Sequence, residues 1–190
     1  MAATDAQLVE RARGGDAGAF ELLVRRYLRA AYAVALAELG DPAEAEDACQ
    51  DALVTALEKL EECRQPERFA RWLLQIARNR ARSLRRRSAV RAANSLEEAR
   101  GLPSTARPDH DAERAELRSR LLAALATLTP VQREVVLLHD LEEWRHREIA
   151  EWLGLPEGTV RSHLFHARRA LRARLSAGLL VEDADAAGSD

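Results

Sequence analysis

Between residues 16 and 37, Phe20, Leu23, Val24, Tyr27, Leu28, Ala31 and Val34 recur at intervals of three and four. That spacing sets them on one stripe of an amphipathic helix. Asp41-Pro42 follows, an N-cap and a proline suited to the first helical position, with Glu44 at the capping-box position. The helix opened there carries Ala45, Ala48, Cys49, Ala52, Leu53, Ala56, Leu57 and Leu60 on its inner face and carboxylates on the other. Gln65-Pro66 starts a third helix with Phe69, Trp72, Leu73, Ile76 and Leu84 on one side. From 92 to 111 the periodicity stops, and Asn94, Gly101, Pro103, Ser104, Pro108 and Asp109 mark a linker. Helices resume near Asp111, with Leu117, Leu121, Leu125 and Leu128 on one stripe and a second capping box at Thr129-Pro130 and Gln132.

The segment 148–170 is the most specific. Ile149, Ala150 and Leu153 make one face of a short helix, Gly154 suits a left-handed turn, and Pro156 lies near the next helix start. Two helices joined by a short glycine turn form a helix-turn-helix, whose second helix enters the DNA major groove. At ~100° per residue, Val160, Leu164, Ala167, Leu171 and Leu175 share an inner face. Ser162, Phe165, His166 and Arg169 then point outward, flanked by Arg161 and Arg168. A polar, basic strip bearing an aromatic suits base edges and phosphates. His163 and His166 have the spacing of a metal pair but lack a third ligand nearby, so no metal is expected.

The predicted fold is all-α: two small helical domains joined by a flexible linker, the second containing the helix-turn-helix. Residues 1–91 form the first domain, 92–111 an acidic linker, 112–176 the second domain and 177–190 an acidic, disordered tail.

Charge sharpens this picture. The 190 residues carry 29 basic and 31 acidic side chains, a net charge of -2, and 47% are hydrophobic, which excludes a wholly disordered chain. The near-neutral total hides blocks. Residues 38–62 hold nine acids against Lys59, whereas 64–91 hold ten arginines against Glu67. Such segregation points to separate surfaces for separate partners. On the third helix, Arg71, Arg78, Arg82 and Arg85 share one face opposite Phe69, Leu73 and Ile76, a stripe suited to a phosphate backbone, with Asn79 at its border. Trp72 either stacks on an unpaired base or fills the core. Arg80 projects toward the apolar side, so it snorkels out or the helix bends there. Cys49 and Cys63 lack metal spacing and read as reduced thiols, with a disulfide the lesser alternative. Phosphate-loop, HExxH and GxSxG motifs are absent, so neither enzymatic chemistry nor a cofactor is expected. No secretory signal or apolar span is seen, so a cytoplasmic location is expected.

In order and spacing, these segments resemble the extracytoplasmic-function (group IV) sigma factors of bacterial RNA polymerase over residues 5 to about 176. DAQLVERARGGDAGAFELLVRRY is similar to region 2.1 and GDPAEAEDACQDALVTALEKL to region 2.2. RFARWLLQIARNRARSLRRR is similar to regions 2.3 and 2.4, and residues 128–175 to region 4. Ser83 stands where the family often has Asp, and Trp144-Arg145 where Leu-Ser is more usual. The resemblance implies an initiation factor that binds core RNA polymerase at its clamp and flap regions and directs it to promoter DNA. It implies that the first domain opens the -10 element and the helix-turn-helix reads the -35 element. Asp47, Gln50 and Asp51 then match the core-binding motif. Arg71, Trp72, Arg78, Asn79, Arg82 and Arg85 fall to the -10 element. Arg161, Ser162, His163, Phe165, His166, Arg168 and Arg169 fall to the -35 element. The family also implies an anti-sigma factor as a partner. The alternative is a stand-alone helix-turn-helix regulator, which would not need the acidic second helix.

Overall fold

A computed structural model describes residues 3–94 and 110–186; most of the predicted linker and the last residues of the tail lie outside these. The described residues are helical, with no strand among them. Helix α1 (Asp5–Arg13) opens on a reciprocal capping box between Thr4 and Gln7 and buries Leu8 and Val9 completely. Helix α2 (Ala17–Leu39) starts where the Asp16 carboxylate accepts the Ala19 N–H, and ends at Gly40 in the left-handed conformation. From Ala30 to Glu38 every α2 side chain except Tyr32 is buried. A helix apolar all round is an interior helix, and small alanines let its neighbours approach closely. The run AAYAVALAEL is the sequence form of that position.

Helix α3 (Pro42–Glu58) begins as predicted, with Asp41 Oδ1 accepting the Glu44 N–H at 2.9 Å. The Glu44 carboxylate does not close the box; it lies 3.5 Å from Ser88 Oγ. Leu57, expected on the inner face, is 55% exposed, and Leu60 is buried from a separate 3₁₀ turn at Leu60–Glu62. After a second such turn at Pro66–Arg68, α4 (Phe69–Asn94) runs past the boundary expected near residue 91. Arg80 does snorkel, donating to Thr55 Oγ1 at 2.8 Å.

Helix α5 (His110–Ala126) buries Leu125 but leaves Leu117 and Leu121 exposed, so its leucine stripe is covered only at the C-terminal end. The predicted capping box opens α6 (Pro130–Val136), which passes through a π-helical turn at Leu137–Leu141. Helix α7 (His146–Leu153) ends at Gly154 with φ 68°, and α8 (Glu157–Ala186) completes the helix-turn-helix. α8 continues over residues 177–186, where the composition predicts a disordered tail. Those residues hold no proline, and extending an existing helix needs no new nucleus.

The two halves pack on each other. α2 lies against α6 and the π turn, and one apolar cluster runs from Ala33, Ala37 and Ala77 to Val135, Leu138 and Ile149. Arg133 joins them with a buried guanidinium that donates to Leu125 O at 2.9 Å, Ala37 O at 3.1 Å and Leu128 O at 3.2 Å. These are carbonyls near the ends of α2 and α5, where helices lack internal partners. A second cluster, around Leu8, Leu23, Phe69 and Leu73, belongs to the first half alone.

Candidate nucleic-acid and partner interfaces

The phase of α8 is as predicted. Val160, Leu164 and Ala167 are buried, while Arg161, Ser162, Phe165, His166, Arg168 and Arg169 are exposed and His163 is half-buried. Phe165 is 62% exposed, with its ring edge-on to His166 at a centroid distance of 5.5 Å. Beside it, a groove of about 640 Å³ is lined by Phe165, Arg161, Arg168, Arg169, Arg172 and His146. An open groove with four arginines and an aromatic wall suits phosphates and bases.

Two of these arginines are already engaged. Arg161 pairs with Glu157 one turn earlier. Arg168 is held by both oxygens of Asp140, Nε to Oδ2 at 3.1 Å and Nη2 to Oδ1 at 2.5 Å. Sequence reasoning missed Asp140, since nothing in its local pattern shows that the π turn lies beside α8. Partial burial pushes the Asp140 carboxyl up, but bonds from Arg168 and His139 outweigh it and hold the group below the usual carboxylate range. The same pairing keeps the Arg168 guanidinium more firmly protonated. The His139 and His146 rings meet at a tilt of 52°, with centroids 4.7 Å apart. Desolvation first, then the neighbouring His139, hold His146 below the ordinary imidazole value.

The arginine stripe of α4 differs from its prediction. Arg71 is exposed, but Arg78 is only 9% exposed. Its guanidinium pairs with Glu134 of α6 and lies 4.3 Å from the ring centroid of Trp152 in α7, whose indole N–H donates to the same Glu134 oxygen at 2.5 Å. Arg82 and Arg85 meet Glu38 of α2 at 2.8 and 3.0 Å. Asn79 is exposed and accepts from Gln75 at 3.0 Å. Trp72 is half-buried against Phe69, at 5.8 Å between centroids. Within the stripe Arg78 is therefore buried, Arg82 and Arg85 are paired but half-exposed, and Arg71 is exposed: helical phase treats α4 alone, whereas Glu38 and Glu134 come from two other helices. A signal existed, because each acid sits inside a buried run, VALAEL and REVVLL, where a carboxylate needs a cationic partner.

On α3, Asp47, Gln50 and Asp51 are all exposed. Val54 and Leu57 continue the same side at 57% and 55% exposure, which makes a ridge that is acidic at one end and apolar at the other. Among the described residues no group of three or more His, Cys, Asp or Glu side chains could hold a metal, and no helix is long and apolar enough to cross a membrane.

Comparison with known proteins gives the family. Residues 23–91 match the family described as Sigma-70 region 2, and residues 118–171 match Sigma-70, region 4. The chain is 31% identical over 176 residues to the RNA polymerase sigma-H factor of Pseudomonas aeruginosa, covering 88% of this chain and 91% of the other. It is 32% identical over 178 residues to the ECF RNA polymerase sigma-E factor of Escherichia coli K12, covering 88% and 92%. Among solved structures, CnrH in complex with the cytosolic domain of CnrY superposes with a TM-score of 0.65 at 29% identity, over 91% of this chain and 97% of that one. The sigma factor RpoE from Bartonella quintana, in complex with the anti-sigma factor NepR, superposes with a TM-score of 0.61 at 25% identity, over 83% and 96%.

Proposed function

Because this chain belongs to the extracytoplasmic-function sigma factors of the sigma-70 family, we propose that the faces of α3, α4 and α8 divide the work of transcription initiation. The chain binds core RNA polymerase and directs it to promoter DNA, in the cytoplasm where both reside. It carries no bond-making chemistry of its own, which the polymerase supplies, and we assign it to group IV of the family.

The observation that carries this reading is the exposed face of α8. Ser162, Phe165 and His166 sit where base edges would lie, and Arg161, Arg168 and Arg169 reach toward phosphates along its border. His163, half-buried, lies at the margin of that face. Base contacts specify and phosphate contacts position. Replacing one true base reader costs about 1–3 kcal/mol and relaxes preference at one base pair. The α3 ridge, with Asp47, Gln50 and Asp51 beside Val54 and Leu57, takes the core polymerase. The α4 face, with Arg71, Trp72, Arg78, Asn79, Arg82 and Arg85, takes the opened -10 strand. An anti-sigma factor is the further partner, as NepR is for the Bartonella RpoE.

Run-off transcription tests this directly, with purified core polymerase, a genomic promoter library and this chain added or withheld. Defined transcripts should appear only with the chain. If core polymerase initiates no differently in its presence, the reading is wrong.

A further inference from the structure

Four arginines line the groove beside Phe165, and the chain holds them in different ways. Arg169 and Arg172 are exposed and meet no carboxylate among the described residues. Arg161 pairs only with Glu157 of its own helix, a solvated i,i+4 contact that contributes little and opens freely. Arg168 is gripped from another element, by both oxygens of Asp140, 28 positions earlier in the chain. The His139 ring holds the same carboxylate at 2.8 Å, and its Nδ1 lies 3.4 Å from Arg168 Nη2. Nε and Nη2 are thus engaged by the chain, while Nη1 keeps both of its N–H donors for a ligand. The π-helical turn sets this up: Leu137 and Leu138 go into the core, and His139 and Asp140 turn toward α8. Such turns are rare and recur at functional sites.

We propose that Asp140 is a positioning residue for sequence selection: it fixes the Arg168 guanidinium in one direction, so that the duplex is gripped in a single register. The proposal rests on the promoter reading of α8 given above. An arginine on a free, flexible stem follows the phosphates of any sequence, and such contacts carry no sequence information. A guanidinium held at two points cannot follow. It meets a phosphate only where Ser162, Phe165 and His166 are also seated on their base edges. The carboxylate has a second effect, because an anion beside a DNA groove repels phosphates. Asp140 therefore weakens binding to every sequence, and most of all to duplexes that do not let Arg168 dock, which is how discrimination is gained at the expense of affinity. Bonds from Arg168 and His139 hold the Asp140 carboxyl below the usual carboxylate range, so the clamp stays charged throughout the neutral range.

The test uses the full chain bound to core polymerase and two probes: a duplex selected by the wild type from a randomised pool, and a shuffled duplex of the same composition. The readout is the ratio of their Kd values. Asp140→Asn keeps the size of the side chain and loses its charge. It should bind the shuffled duplex more tightly, steepen the salt slope by up to about 1, and lower the ratio about fivefold. Misfolding would weaken both duplexes, so a gain on the shuffled one cannot come from it. Asp140→Glu, which keeps the charge, should restore most of the ratio. Arg168→Lys keeps the cation but cannot take a two-point grip, and should lower the ratio with the salt slope retained. If Asp140→Asn melts the chain, as circular dichroism would reveal, Arg168→Lys decides alone. In an Arg168→Ala background Asp140→Asn should leave the ratio where it is. An unchanged ratio in Asp140→Asn or Arg168→Lys, or an equal fall in the Arg168→Ala background, overturns the proposal. A wild type that binds both probes alike would instead sink the promoter reading, and this proposal with it, before any variant is compared.

Discussion

At the scale of single residues, His146 is the clearest handle. It faces His139 from the π turn and Arg161, Arg168 and Glu157 from α8, so cations outnumber the one acid around it. Its folded-state value lies below the ordinary ~6.5 of an imidazole, so the folded form binds its proton less readily than the unfolded chain. The stability it contributes is present above the unfolded value and is lost as pH falls through ~6.5 toward the depressed one. Melting temperatures at pH 8 and pH 5.5 should therefore differ more in the wild type than in His146→Asn. Asp140 does not confound this comparison, since its depressed carboxyl titrates below the window. Glu134 works in the opposite sense, because its raised value favours the folded form as pH falls; a wild-type difference equal to that of His146→Asn would assign the whole effect elsewhere.

At the scale of elements, α3 and α8 were legible in the sequence and α4 was legible only in part. α8 has a proline entry, a glycine before it and an unbroken apolar phase, so its outer face follows from geometry. α3 follows from its cap and alanine stripe, but Leu57 shows the limit: a leucine at the edge of the stripe is read as core until the neighbour meant to cover it is found absent. Helix α1 is not legible from periodicity, because its only large apolar residues, Leu8 and Val9, are adjacent and make no stripe. The exposed α3 ridge carries its own expectation. Asp47→Arg with Asp51→Arg should weaken binding of core polymerase at moderate salt and flatten its salt dependence, while far-UV circular dichroism stays unchanged. Val54→Ser should weaken it too, with the salt slope retained. A pull-down in which charge reversal has no effect would leave the acids a solubility role only.

At the scale of the whole molecule, the halves meet through backbone ends as much as through side chains. Gly40 closes α2 with φ 78°, and a Cβ added there would come within 3.1 Å of Arg133 Nη1. Gly40→Ala should therefore cost about 1–2 kcal/mol for the left-handed residue alone, plus the displacement of Arg133 from Ala37 O. Urea unfolding measures the sum, and a loss no larger in the wild type than in an Arg133→Met background would show that the arginine is not displaced. This arrangement could not be read from the chain, because Gly40 and Arg133 are 93 positions apart and each has an ordinary local explanation. Periodicity finds faces; it does not say which two faces meet.

The buried second half of α2 has a consequence for synthesis on the ribosome. Ala33 and Ala37 share their core with Val135 and Leu138, which leave the ribosome about a hundred residues later. At ~5–20 residues per second, α2 waits about 5–20 s for that partner. During this interval α1, the first part of α2, α3 and α4 can assemble around Leu8, Leu23 and Phe69, which need nothing from downstream. The nascent chain then presents an alanine-lined patch and an Arg78 with no Glu134 to meet.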